Sequence, residues 1–356
     1  MRIVVLVGGL SPEREVSLSS GALIAAALLQ LGHDVCFLDL WQGVRRAADA
    51  MFYNQNDHRE FQHTITATPP DLEALGKQHA QEIGLGVLDI CRESDLVFLA
   101  LHGGIGENGQ LQTLFDLEGI RYTGSGSFAA SLAMDKDISK CIFRTHGLPT
   151  LDWEVFGAET LDTQTILARF SLPLAGKPLN SGSSIGVRLA RTADELEKAV
   201  FTWRAHEHRV LIEPAIIGGR EFACGVLGAQ SLPVIEIRPQ HGWYDYQAKY
   251  QAGATSELCP APIPQELATA IQRLALAAHR ALRLEVYSRS DILLDGDGHL
   301  WLLEVNTLPG MTPTSLLPQE AAAAGIDYPD LCQKIIDLSL KKYKSPSQTW
   351  LPFNQH

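Results

Sequence analysis

The most constraining stretch of the chain is Tyr287-Ser-Arg-Ser-Asp-Ile-Leu-Leu, followed by Asp295-Gly-Asp-Gly298 and then His299-Leu-Trp-Leu-Leu-Glu-Val-Asn306. Two apolar runs joined by Asp-Gly-Asp-Gly predict a β-hairpin. With those four residues as the loop, Arg289 faces Glu304 and Asp291 faces Leu302. Side chains alternate along a strand, so Arg289, Asp291, Glu304 and Asn306 share one face. Ile292, Leu294, Trp301, Leu303 and Val305 share the other, the core face. Two carboxylates and an amide oxygen form a hard-oxygen set suited to Mg²⁺ or Mn²⁺, and the arginine beside them suits an anion. A solvated polar face with an Arg–Glu cross-strand pair is the other reading of the same residues. An EF-hand is excluded, because His299 and Leu300 stand where that loop needs an oxygen ligand and a glycine.

The 356 residues leave room for roughly two to three domains and a large core. With 29 Lys+Arg against 41 Asp+Glu, the formal charge is −12, which argues against a dominant nucleic-acid or anionic-membrane partner. Cys36, Cys91, Cys141, Cys224, Cys259 and Cys332 lie far apart, without CxxC pairs or zinc spacing, and are read as buried, reduced thiols. The N-terminal apolar run is too short for a signal peptide and meets Glu13-Arg14-Glu15 at once. No segment approaches a membrane span. The expectation is a soluble, cytoplasmic protein.

Ile3–Val7 is a continuous apolar run ending in Gly8-Gly9, the pattern of a buried parallel strand. A helix over Ser17–Leu31 and a strand over Asp34–Leu40 complete a βαβ unit, and Leu96–Leu101 adds a further buried strand. Residues 42–86 carry little regular pattern. A smaller unit begins near Met134, with strands at Leu172–Lys177 and Ser184–Leu189 and a helix from Ala193. Strands at Glu221–Leu227 and Pro233–Arg238, a helix at Gln265–Leu284, the hairpin and a helix at Tyr328–Lys341 follow. The expected division is 1–133, 134–212 and 213–356.

Several loops carry candidate chemistry. Lys177 closes a strand and precedes a Gly/Ser loop ending at Gly186, either a phosphate cradle or an ordinary hairpin loop. It is not a Walker A loop. Gly8-Gly9 does not match G-x-G-x-x-G, and Glu13 near the helix start is either functional or a helix-dipole residue. His102-Gly-Gly-Ile-Gly-Glu-Asn-Gly109 implies a closely approached backbone or a tight crossover. Tyr244–Tyr250 is either a lid or a Tyr-rich surface loop. No G-x-S-x-G elbow supports a serine hydrolase.

Taken in order, these motifs resemble the D-alanine–D-alanine ligases of the ATP-grasp superfamily. The residues that carry the resemblance are Gly-Gly-x-Ser-x-Glu-Arg-Glu-Val-Ser-Leu, His-Gly-x-x-Gly-Glu, Tyr-Thr-Gly-Ser-Gly, Met-Asp-Lys, Lys-Pro…Gly-Ser-Ser-x-Gly-Val and Arg-Glu-Phe. Tyr-Asp-Tyr-x-Ala-Lys-Tyr and Arg-x-Asp…Leu-Leu-Glu-x-Asn-Thr-x-Pro-Gly-Met-Thr continue the series. The resemblance implies an α/β chain, an ATP-grasp fold preceded by a Rossmann-like parallel-sheet N-terminal domain. It implies ligation of two D-alanines through an acyl phosphate, for peptidoglycan precursors and hence cell wall and cell shape. ATP and two Mg²⁺ (or Mn²⁺) are the implied cofactors, and a homodimer the implied assembly.

Residue by residue, the resemblance places Lys136, Lys177 and Lys249 on ATP phosphates, with Ser184 in the phosphate loop. Glu213 and Glu221 fall at the nucleotide, Glu213 on the ribose side. Asp291, Glu304 and Asn306 are the implied metal ligands. Glu13 receives the first D-alanine's ammonium and forms a hydrogen-bonded triad with Ser183 and Tyr250, with His102 nearby. Arg289 and the Gly310 N–H meet the oxyanion, and Ser315 and Leu316 contact the second D-alanine. The chain departs from the family at Asn108, Gln247, Val286 and Ser290, the last two beside Arg289. Tyr250 stands where D-lactate-using relatives carry His, which favours an amide product. The alternatives are an ATP-grasp ligase with another acceptor, such as D-lactate or D-serine, and a non-catalytic nucleotide-binding paralogue.

Overall fold

Ile3 to Val7 are fully buried, as an apolar run flanked on both faces must be, and form strand β1 (Arg2–Val7). The structure is a computed structural model describing residues 1–44, 51–57, 59–63, 70–77, 81–179, 186–207, 209–240, 255–312 and 314–344. β1 pairs in parallel with β2 (Asp34–Asp39) and β3 (Leu96–Leu99), giving the sheet order β2-β1-β3. The helix Arg14–Gln30 crosses over this sheet and packs against the C-terminal helix Tyr328–Lys342. Leu331, Cys332, Ile335 and Ile336 of that last helix enter the same core as β1, so these two distant parts of the chain are packed together.

A second, antiparallel sheet holds β4 (Glu154–Gly157), β5 (Leu174–Pro178), β6 (Arg188–Ala190) and β7 (Arg209–Pro214) in the order β4-β7-β5-β6. The helix Ala193–His206 buries Leu196, Ala199, Val200 and Trp203 against it. Its N-cap Thr192 accepts the Glu195 N–H at 3.2 Å, satisfying one of the unpaired donors of the first turn.

The third sheet contains β8 (Arg220–Leu227), β9 (Gln230–Ser231), β10 (Ile235–Pro239), β11 (Thr255–Leu258), β12 (Tyr287–Leu294) and β13 (Leu300–Asn306). Its path is β11-β10-β8-β12-β13, with β9 on β8. The amphipathic helix Gln265–Ala281 covers one face through Ile271, Leu274, Ala275 and Ala278.

The hairpin β12–β13 forms, with a register different from the expected one. Asp295 and His299 close a three-residue loop, the Asp295 N–H reaching the His299 carbonyl at 3.0 Å. The Gly298 N–H bonds the Asp295 carbonyl at 3.2 Å, and Gly298 takes the positive φ of +87° that ends such a turn. Ile292 therefore faces Leu302 instead of Trp301, and a bulge between Asp291 and Ile292 leaves Leu303 unpaired. Beyond the bulge Asp291 faces Glu304 and Arg289 faces Asn306, so neither expected pair, Arg289 with Glu304 or Asp291 with Leu302, occurs. The four polar residues still share a face, because loop and bulge each shift the register by one. The core face is corrected: Ile292, Leu302 and Val305 are buried in it, whereas Trp301 and Leu303 are not part of it.

Strand and helix ends differ from the sequence reading by a few residues. The first helix starts at Arg14 instead of Ser17, and the helix at Gln265 stops at Ala281. All six cysteines are free; Cys141 is exposed and Cys259 half-exposed, against the expectation of burial.

Candidate active site

A cleft of about 320 Å³ opens between the second and third sheets. Ala175 and Lys177 on β5 and Glu213 on β7 form one wall, while Glu221, Asp291 and Glu304 come from the other sheet. Residues 214–219 join the two sheets along its edge, and Leu189, Leu293 and Leu303 supply apolar surface. The bulge is what turns Leu303 into this cleft.

Glu213 is the electrostatic anchor of the wall. Its side chain is 2% exposed, forms an ion pair with Lys177 and accepts from Lys140 Nζ at 2.7 Å. Lys177 pairs with Leu211 and Ala175 with Glu213, so Lys177 and Glu213 are diagonal neighbours on one sheet face. Lys140 also donates to Thr150 Oγ1 at 2.9 Å. The two ammonium groups hold the Glu213 carboxyl below its ordinary value despite burial, which opposes them. Burial lowers Lys140, with Glu213 the strongest opposing influence. Burial also works against the charged form of Lys177, but Glu213 outweighs it and raises that group.

Lys136 opens the helix Lys136–Thr145, whose N-cap Asp135 accepts from Asp137 N–H and Ile138 N–H at 3.0 and 3.1 Å. That cap directs the Lys136 side chain to the cleft, where its ammonium lies 3.5 Å from Glu304. Arg289 forms a two-pronged bond with Asp291, at 2.8 and 2.9 Å, and Asn306 Nδ2 approaches the same carboxylate at 3.3 Å. Asp291, Glu304 and Asn306 thus present three oxygen-bearing side chains on neighbouring positions of one strand pair. That donor set fits a hard divalent cation.

A second group of residues closes around His102. Its Nδ1 lies 2.9 Å from the Leu308 carbonyl, which makes Nδ1 the protonated nitrogen. Burial lowers its proton affinity, with Glu13 opposing, so the ring is neutral at neutral pH. Ser11 Oγ bonds the His102 carbonyl at 2.6 Å and receives the Glu13 N–H at 3.2 Å. The Glu13 carboxylate lies over the Gly103 backbone, 3.0 Å from where a Cβ would stand. Gly310 and Ser315 are also in close contact: a Cβ at Gly310 would lie 2.7 Å from Ser315 Oγ. Ser315 Oγ in turn receives the Thr312 N–H at 3.0 Å, and Leu316 is buried at the start of the helix Leu316–Ala323.

Of the sequence-derived candidates, Lys136, Lys177, Glu213, Glu221, Asp291 and Glu304 line one cleft. Glu13 and His102 lie together beside it, and Gly310, Ser315 and Leu316 follow the end of β13. Ser183, Ser184, Lys249 and Tyr250 lie outside the described residues, as do the loop 180–185 and the segment 241–254. Among the departures, Ser290 points away from the site: it is fully buried on the sheet face opposite to that of Arg289. Val286 holds a positive φ of 66°, a conformation that costs a β-branched residue strain and that glycine adopts freely.

Three carboxylate or ammonium groups had no role in the sequence reading. Lys140 is a turn beyond Lys136 on the same helix, a spacing that could have flagged it. Glu107, inside the His-Gly-x-x-Gly-Glu motif, receives the Gly103 N–H at 3.0 Å and the Leu308 N–H at 3.3 Å. It thereby ties the N-terminal loop to the strand end that carries Asn306, and burial pushes its carboxyl up to about 7. Glu320 had no sequence signal.

A lysine-rimmed cleft between two antiparallel sheets, with acidic residues on the facing hairpin, defines the class: this is an ATP-grasp fold. Family models described as the D-ala D-ala ligase N-terminus and C-terminus match residues 2–125 and 142–337. The chain is 40% identical over 343 residues to the D-alanine–D-alanine ligase of Pediococcus pentosaceus, covering 94% of this chain and 97% of that one. It is 40% identical over 342 residues to that of Nitratidesulfovibrio vulgaris, covering 96% and 98%. The crystal structure of the Bacillus anthracis D-alanine–D-alanine ligase complexed with ATP superposes with a TM-score of 0.74 at 32% identity, over 97% of this chain and 98% of that one. The chain belongs to the D-alanine–D-alanine ligase family.

Proposed function

We infer that this protein joins two D-alanines in an ATP-dependent reaction through an acyl phosphate, the dipeptide serving peptidoglycan precursor synthesis. The observation that carries this reading is the placement of Arg289, Asp291, Glu304 and Asn306 on one face beside a cleft rimmed by Lys136 and Lys177. A carboxylate is a poor electrophile, so phosphorylation must precede amine attack. Two anions must then meet, and their repulsion is the barrier a cationic rim lowers.

Lys136 and Lys177 hold the phosphates, Lys177 oriented by Glu213, and Glu221 stands at the nucleotide beside it. Asp291, Glu304 and Asn306 would hold Mg²⁺ or Mn²⁺, which when bound neutralises phosphate charge. Glu13 receives the ammonium of the first D-alanine, with neutral His102 beside it. Arg289 and the Gly310 N–H stabilise the oxyanion formed when the second amine attacks. Ser315 and Leu316 bound the second D-alanine. Ser183, Ser184, Lys249 and Tyr250 complete the phosphate loop and the lid in this reading, Tyr250 favouring an amide over an ester. Ser290, facing the core, supports the same acceptor by leaving the pocket unaltered.

The working division of the chain is 1–133 for the first substrate, 134–212 for the central ATP-grasp part and 213–356 for the metal-bearing part. A homodimer and a cytoplasmic location complete the proposal. Among the described helices, none is long and apolar enough to cross a membrane.

The test is phosphate release from ATP and Mg²⁺ with D-alanine, L-alanine, D-serine or D-lactate, with products identified by mass. D-alanine-dependent release with a D-alanyl-D-alanine product is expected. Release only with another acceptor would refute the second-substrate assignment, and ATP binding without release would favour the non-catalytic alternative.

A further inference from the structure

Glu320 is fully buried, and neither carboxylate oxygen has a well-formed hydrogen bond among the described residues. Burying a carboxyl group with so little compensation is costly, so its retention calls for a partner in another state of the protein. It sits on the helix Leu316–Ala323, which begins at the acceptor residues Ser315 and Leu316. Leu316 packs against Ala223, Ile235 and Ile237, so this helix covers the site face of the third sheet.

The register brings Glu320 to Arg289. Gly225 lies directly opposite Arg289 on the adjacent strand, and a Cβ at Gly225 would stand only 2.6 Å from Glu320 Oε2. Facing Cβ positions in such a pair are about 5 Å apart, so the carboxylate lies within the length of an arginine side chain from Arg289. Ala223 and Gly225, opposite Asp291 and Arg289, leave the space between strand and helix that this carboxylate fills. Burial pushes its carboxyl up to about 8, with Arg289 the strongest influence in the other direction and the Gly225 N–H the next. Asp291, the buried thiol Cys224 and the half-exposed thiol Cys259 are the other ionisable groups around it.

Arg289 now occupies both oxygens of Asp291, the oxygens that a divalent cation would need. We propose that Glu320 is a positioning residue that takes over the Arg289 guanidinium when Asp291 engages a divalent cation. The inference rests on the metal-site reading above. Glu320 thus releases Asp291 for the cation and holds Arg289 toward the acceptor, acting on the reaction only through that arginine.

Mn²⁺ binding to the full-length protein with a non-hydrolysable ATP analogue, followed by the spin-resonance signal of free Mn²⁺, tests this directly. E320Q is expected to weaken Mn²⁺ binding about 10-fold, as loss of an outer partner does, with the melting midpoint retained. The KM for the acceptor D-alanine should rise more than that for ATP, and E320D should recover part of both losses. E320L replaces the buried acid by an apolar group, keeps the fold testable if E320Q does not, and should weaken Mn²⁺ equally. Wild-type Mn²⁺ affinity and acceptor KM in the folded variants would overturn the inference alone. A wild-type protein that binds no Mn²⁺ would overturn the metal-site reading and the inference with it.

Discussion

Lys140→Met removes one of the two cations that hold Glu213. The methionine keeps the unbranched apolar stem in the space that Lys140 fills at 2% exposure. What disappears is a 2.7 Å charge-assisted bond to Glu213, a 2.9 Å bond to Thr150, and an ammonium 5.2 Å from the Trp153 ring. Breaking a buried pair outright costs about 3–5 kcal/mol. Glu213 keeps Lys177, and the buried ammonium was itself unfavourable, so about 2 kcal/mol of stability should be lost. The released Glu213 charge then binds Lys177 more tightly and away from phosphate, raising the KM for ATP about 5- to 10-fold, or roughly 1–1.4 kcal/mol. Glu213→Gln leaves the buried Lys140 and the cleft-lining Lys177 facing each other and should cost more than Lys140→Met. The double variant should lose less than the sum, with a coupling of at least about 1 kcal/mol. Denaturant unfolding and steady-state kinetics with varied ATP measure these quantities. Unchanged stability and ATP KM in Lys140→Met, or additive losses in the double variant, would refute the coupling of the three residues.

Glu304→Gln should lower turnover at least about 100-fold while leaving the fold intact, because a carboxylate that would hold the divalent cation is lost; product formation at the wild-type rate would remove Glu304 from the metal site. His279, buried and 2.7 Å from Ser288 Oγ, has its imidazole pushed down to about 4 by burial. Its folded form stays neutral where the unfolded form binds a proton, so stability falls as pH drops from about 6.5 toward 4, by about 2 kcal/mol at pH 5. Unfolding of His279→Gln at pH 5 and 7 should show a smaller difference than the wild type. Ser290→Ala removes a buried hydroxyl that has no partner among the described residues, and should raise stability by about 1 kcal/mol without changing acceptor choice. A changed ratio of D-alanine to D-serine use would show that Ser290 reaches the pocket.

The sequence was most legible where local chemistry repeats at short range. The apolar run before Gly8-Gly9, the Asp-Gly-Asp-Gly turn and the alternation along β12 and β13 determined the strands and the shared face of Arg289, Asp291, Glu304 and Asn306. The same alternation misassigned Trp301 and Leu303, because a three-residue loop closed by Gly298 and a bulge at Leu303 shift register without a distinctive residue type. Ordered motifs carried the family, since many short matches in sequence constrain a chain more than any one of them.

What only the tertiary structure decided depends on residues distant in sequence. Lys140 and Glu213 are 73 positions apart, and their pairing arises because the fold brings the helix Lys136–Thr145 and β7 together. His102 meets Leu308 across 206 positions, and Glu107 ties the same two segments together. Glu320 looks like any acidic residue on a helix; the missing side chain at Gly225 and the register opposite Arg289 are what bury it. Local pattern specifies strands, turns and faces, whereas the partner of a buried charge is set by how those faces are brought together, a long-range condition that no short stretch encodes.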